Sequence, residues 1–250
     1  MNTIAARFMA LSSLMLISLS ATAADAVKES TDSFESGGVK IQIETFSPGD
    51  EGKHPGLLLV HGADGMTLAP LYRAAARKIA ERGYVVALPH YFQRTDTKKG
   101  DAATNFKNFP AWLSTLGDAT TYLAAMKNVD DKKLGLVGFS LGAFLSLSDA
   151  PGDARIKAVV EYFGGLPAAR ARDLKTMPPV LILHGEKDTT VPVAQAHALE
   201  KVLKEKNLEY EIKLYPEQGH GFRGEDSADA MRRTLEFLDK HLMKGKEEKQ

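Results

Sequence analysis

Residues 133–150 read KLGLVGFSLGAFLSLSDA, and the fold turns on how that stretch divides. Leu134, Leu136 and Val137 belong to a short apolar run of the kind that forms a buried strand, and "LGAFLSLSDA" reads as the start of a helix. Between them Gly138-Phe139-Ser140-Leu141-Gly142 has the pattern G-x-S-x-G. A sharp strand-to-helix turn strains its central residue and crowds the positions two before and two after, so both must be nearly free of side chain. Gly138 and Gly142 meet that demand. Ser140 is then a candidate nucleophile with an exposed Oγ, although a serine needs a base to take its proton before it can attack. The five residues alone are common by chance, so the reading depends on what else the chain supplies.

Working outward, "GLLLV" (56–60), "YVVAL" (84–88), "IKAVV" (156–160) and "PVLIL" (179–183) are further apolar runs bounded by Gly, Pro or His. Strands apolar on both sides belong to a parallel sheet covered on both faces. Helical patterns alternate with them, over 68–83, 110–128 and 193–207, and in a last helix with Met231, Leu235, Leu238 and Leu242 at helical spacing. The expectation is a doubly wound, mostly parallel α/β sheet with helices on both faces. "VKIQIETF" (39–46) alternates and is expected as an antiparallel edge strand, with 27–38 as a polar lead-in. The stretch from Tyr91 to Phe109 has no clean period and is read as a loop, either beside the ligand crevice or a solvated excursion.

The chain has 250 residues, enough for one large α/β domain. Its 32 basic and 32 acidic residues balance, so no global field points to nucleic acid or an anionic membrane. Arg7, the apolar stretch 8–19 and Ala21-Thr22-Ala23 make residues 1–23 a secretory signal peptide by pattern, with an uncleaved anchor as the alternative. The expectation is an exported, periplasmic or secreted protein of one domain over 24–250, its tail 243–250 frayed. With no cysteine, such a protein has no disulfides and must rely on its core.

The partners of Ser140 come later in the chain. "PPVLILHGEKDTTVP" is a strand followed by a loop with Asp188, and "YEIKLYPEQGHGF" is a strand followed by a loop with His220. Nucleophile, acid and base in that order, each past a strand end, match the α/β-hydrolase triad. Glu186 is the competing acid, but it directly follows the strand-end glycine, whereas Asp188 lies where the loop can turn back. His61 and His184 end strands and suit structural roles; a zinc site of His61, His184 and His220 lacks metal-ligand spacing, and no metal or cofactor is expected. The Leu141 N–H, at a helix start, and the Ala63 N–H, in "HGADG", are the candidate oxyanion donors. Tyr91, Phe92, Trp112, Phe163 and Phe222 are candidates for lining an apolar acyl site, with core packing as the alternative. Arg94 and Arg223, with Lys98 and Lys99, are candidates for favouring an anionic substrate.

The blocks "LLLVHGADGM", "GLVGFSLGA", "VVEYFGG", "MPPVLILHGEKDTTVP" and "YPEQGHGF" resemble those of the dienelactone hydrolase family, over most of the chain from Gly56 onward. The resemblance implies Ser140, Asp188 and His220 as nucleophile, acid and base, with Ala63 and Leu141 at the oxyanion. It also implies departures. The hydrolases that name the family use a cysteine restrained by a glutamate, where this chain has Ser140 and Gly62, and Arg223 lies near the place of a carboxylate-binding arginine. A serine esterase acting on small soluble esters or lactones is the expected function, since no lid domain is visible. A serine peptidase of the same fold, distinguishable on an aminopeptidase substrate panel, is one alternative. A ligand-binding homologue without turnover is the other, and such proteins usually lose a triad member.

Overall fold

The computed structural model describes residues 26–243, so the expected signal peptide and residues 244–250 of the tail lie outside the described residues. Eight strands form one sheet in the order β1-β2-β4-β3-β5-β6-β7-β8. These are β1 (Lys28–Ser36), β2 (Val39–Ser47), β3 (His54–Val60), β4 (Val85–Pro89), β5 (Val129–Phe139), β6 (Ile156–Tyr162), β7 (Val180–Gly185) and β8 (Tyr210–Tyr215). From β4 to β8 all neighbours are parallel, and β1 and β2 are added antiparallel at one side.

Side-chain alternation along the central strands produces two cores. Leu58, Val60, Leu136, Val159 and Ile182 face one side, where α2 (Ala102–Ala124), α3 (Leu141–Asp149) and α5 (Ala194–Glu205) cover them. Leu57, Leu59, Val137, Val160 and Leu183 face the other, under α1 (Ala69–Ala80) and α6 (Gly224–Leu238). A short helix, α4 (Ala168–Asp173), precedes β7. Arg73 of α1 reaches β2 through a two-pronged pair with the buried Glu44, at 2.6 and 2.8 Å.

Three expectations need correcting. The polar lead-in is a strand: β1 pairs with β2 along its whole length, so β1 and not β2 is the edge. The Gly37-Gly38 turn joins them, both residues at positive φ (51° and 77°), as the tight hairpin turn requires. The interval 91–109 is not a loop throughout. Tyr91–Thr95 is a 3₁₀ turn, and α2 begins at Ala102, where the Asp101 carboxylate caps it by accepting the Thr104 N–H at 2.8 Å. Pro110 sits inside α2 rather than at its start. The last helix, α6, turns Ala230, Thr234, Phe237 and Leu238 to the core, and Met231 and Leu235 pack partly buried against it, as their helical spacing implies.

Candidate active site

Ser140 ends the run of β5 and opens α3. Its backbone has φ 53° and ψ −117°, a conformation that costs a non-glycine residue strain. The flanking glycines permit it: a Cβ at Gly138 would lie 2.5 Å from the Gly142 carbonyl oxygen, and one at Gly142 only 2.1 Å from the Val60 carbonyl oxygen. The Ser140 N–H donates to the Tyr162 carbonyl on β6 at 2.9 Å, which ties the turn to the sheet.

Asp188 and His220 reach this serine from the loops after β7 and β8. The Ser140 Oγ lies 3.0 Å from His220 Nε2, and His220 Nδ1 lies 2.7 Å from Asp188 Oδ2. The other Asp188 oxygen accepts the backbone N–H groups of Thr190 and Val191 at 2.8 and 2.9 Å, so the buried carboxylate is held from two sides. With its Nδ1–H given to the aspartate, His220 presents Nε2 as an acceptor for the serine proton. The two loops are bound together, because the Lys187 N–H donates to the Gln218 carbonyl at 2.9 Å and Gly185 lets the chain of Gln218 pass close by. Glu186 follows β7 at the surface and takes no part in this chain of bonds.

The loop after β3 is built to hold its amides in place. The Tyr72 hydroxyl accepts the Gly62 N–H at 3.0 Å and donates to Asp64 at 2.5 Å, while the Tyr91 hydroxyl donates to the His61 carbonyl at 2.9 Å. On the far side, the Gly100 N–H donates to the Ala63 carbonyl at 2.7 Å. Neither the Ala63 nor the Leu141 N–H has an acceptor among the described residues. Ala63, Ser140 and His220 line one cavity of about 870 Å³.

The other candidates divide. Phe163 and Phe222 line that cavity, with Phe163 edge-on to His220 at 4.8 Å between ring centroids. Tyr91, Phe92 and Trp112 do not: they are buried under the loop after β3, Trp112 stacked on Phe92 at 4.3 Å. Arg94 lies against the Gly37 turn and Arg223 precedes α6, both outside the cavity lining. His61 is fully buried, donates through Nδ1 to the Gly62 carbonyl and stacks on Tyr91 at 4.1 Å; burial drops its pKa to about 3, so it is neutral. His184 donates through Nε2 to the Val191 carbonyl at 2.8 Å. Among the described residues, no three His, Asp or Glu side chains converge in a way that could hold a metal ion.

Two contributors, Glu161 and Tyr72, were missed in the sequence. Phe163 has φ 44°, and the next residue, Gly164, donates its N–H to Oε2 of the Glu161 carboxyl group at 2.8 Å. Glu161 is wholly buried on β6 beneath α3, and desolvation raises its pKa to about 8. It carries its proton at neutral pH and holds the turn that presents Phe163 to His220. A glutamate inside an apolar strand was the one available signal. Tyr72 gave none, because its partners lie on a different loop.

A serine on a strained turn at the carboxyl edge of a parallel sheet, with acid and histidine from the next loops, is the arrangement of the α/β-hydrolases. The sequence profile of the dienelactone hydrolase family matches residues 41–242, so the chain belongs to that family and is a hydrolase. A Yersinia pestis protein provisionally named a carboxymethylenebutenolidase is 29% identical over 189 residues, covering 66% of this chain and 71% of that protein. A dienelactone hydrolase structure from Anabaena variabilis superposes with a TM-score of 0.71 at 20% identity, over 87% of this chain and 99% of the other. The acylaminoacyl peptidase of Pyrococcus horikoshii shares the fold, with a TM-score of 0.74 and 17% identity over 90% of this chain but only 43% of the peptidase.

Proposed function

We propose that the protein hydrolyses carboxylic esters or lactones through an acyl-enzyme on Ser140. The observation that carries this is the unbroken chain from Ser140 Oγ to His220 to Asp188, at 3.0 and 2.7 Å. His220 takes the serine proton as Oγ bonds to the carbonyl carbon, and the carbonyl electrons move onto oxygen. The Ala63 and Leu141 N–H groups stabilise that oxyanion, helped by the amino-terminal dipole of α3. As the tetrahedral adduct collapses, the carbon–alkoxide bond breaks and His220 returns its proton to the departing alcohol. Water then attacks the acyl-enzyme by the same route, releasing the acid and restoring Ser140–OH. Asp188 fixes the tautomer and stabilises the imidazolium.

The names of the relatives support an ester or lactone as the bond cleaved. Serine in place of the family's cysteine supports a hydroxyl mechanism that depends wholly on His220. Ser140→Ala should lower kcat toward p-nitrophenyl esters by about four orders of magnitude or more, with an unchanged melting temperature. Undiminished turnover in that variant would refute the mechanism. We also propose export, with cleavage after Ala23, as residues 1–23 suggest. Mass spectrometry of the protein recovered from the periplasm or medium tests it: a mature chain starting at Ala24 is expected, and an uncleaved cytoplasmic chain would contradict it.

A further inference from the structure

The cavity over Ser140 continues well past the reacting atoms. One wall is α1, through Leu68, Leu71, Tyr72 and Ala75, and the opposite wall is the start of α6, through Ala228 and Met231. Phe139 and Phe222 form part of the surface between them. At about 870 Å³ it is several times larger than a small lactone needs, and it lies near the upper end of the range for small-molecule sites.

Its chemistry is as informative as its size. Three large hydrophobic side chains are exposed among the described residues, and two of them, Leu68 at 46% and Leu71 at 65%, lie on this cavity. Apolar exposure gathered at one opening marks a surface that a ligand covers. Charge is sparse and cancels: Lys99 is the one lysine or arginine in the lining among the described residues, and Asp64 lines it too. Neither Arg94 nor Arg223, the arginines considered for a substrate carboxylate, is among the lining residues, although Arg223 lies between Phe222 and Gly224, which are.

We propose that the trough between α1 and α6 binds an uncharged apolar arm of the ester, several carbons long or aromatic, so that the substrates are neutral hydrophobic esters rather than small anionic lactones. This rests on the serine-hydrolase reading above. The cavity is formed by helices of the core fold, so it needs no lid domain. Burial in it adds about fourfold per methylene to kcat/KM, the equivalent of ~0.8 kcal/mol, until the trough is filled.

The test is kcat/KM for two series, p-nitrophenyl esters from acetate to octanoate and alkyl acetates from methyl to octyl, which separate an acyl arm from an alcohol arm. At least one series should rise tenfold or more between two and six carbons, and a hemisuccinate ester should be slower than its neutral isostere. Leu71→Asp and Ala228→Phe alter opposite walls at exposed positions. Each should cut the ratio of long-chain to acetyl kcat/KM at least fivefold. Ser140-dependent turnover that is flat or falls with length in both series, or that favours the hemisuccinate, would overturn the inference and leave the mechanism standing. Absence of any Ser140-dependent ester turnover would overturn both.

Discussion

Tyr72 shows how much of this site depends on a residue that never meets the reacting bond. Its hydroxyl accepts from Gly62 and donates to Asp64, so it sets the loop that carries the Ala63 N–H. Tyr72→Phe leaves the ring in its core but strands the Gly62 amide and frees the loop. A kcat lower by about tenfold to a hundredfold, with KM little changed, is the expected result in steady-state kinetics. A larger change in KM than in kcat would instead mean that the hydroxyl itself binds the substrate rather than setting the loop. The sequence made Ser140, Asp188 and His220 legible because each follows a strand at a fixed place in chain order. Tyr91, Phe92 and Trp112 stayed open between acyl site and core, because an aromatic beside a strand end looks the same whether it lines a cavity or supports the loop above it. Only their complete burial separates the two.

Among the elements, the β5–turn–α3 unit has the least room for change. A methyl at Gly142 would press on the Val60 and His61 carbonyl oxygens, both backbone atoms of the adjoining strand and loop. Gly142→Ala should therefore lower stability by about 1–3 kcal/mol in urea unfolding and cost activity beyond that, because the elbow must shift. A variant as stable and active as the parent would mean that the turn is less crowded than its geometry implies. The central strands and most helices could be read from apolar periodicity, since both core faces impose it. β1 could not: it is an edge strand with one face in water, and five of its nine residues in succession are exposed. The informative signal was the Gly37-Gly38 pair, a two-residue hairpin sequence between two stretches of strand length. The start of α2 was similarly hidden, because Pro110 looked like a boundary while the Asp101 cap nine residues earlier was the real one.

For the molecule as a whole, burial of two ionisable groups, Glu161 and His61, sets opposing limits on stability. Glu161 binds its proton more tightly folded (about 8) than unfolded, so stability falls as pH rises from about 4.5 to 8, by on the order of 5 kcal/mol. His61 is held neutral, so its contribution is lost in the other direction, as pH falls from about 6.5 toward 3. Melting temperature should thus decline between about pH 6.5 and 8, where only Glu161 acts, and Glu161→Gln should flatten that limb; an unchanged slope would show that Glu161 is not the group responsible. Activation of Ser140 as a nucleophile is what the triad, the elbow and the β3 loop jointly imply. The most direct measurement is reaction of the folded protein with a fluorophosphonate, followed by peptide mass spectrometry. The account predicts a phosphonylated Ser140 in the parent and none in His220→Ala. A folded protein that stays unlabelled, or one labelled at another serine, would contradict it.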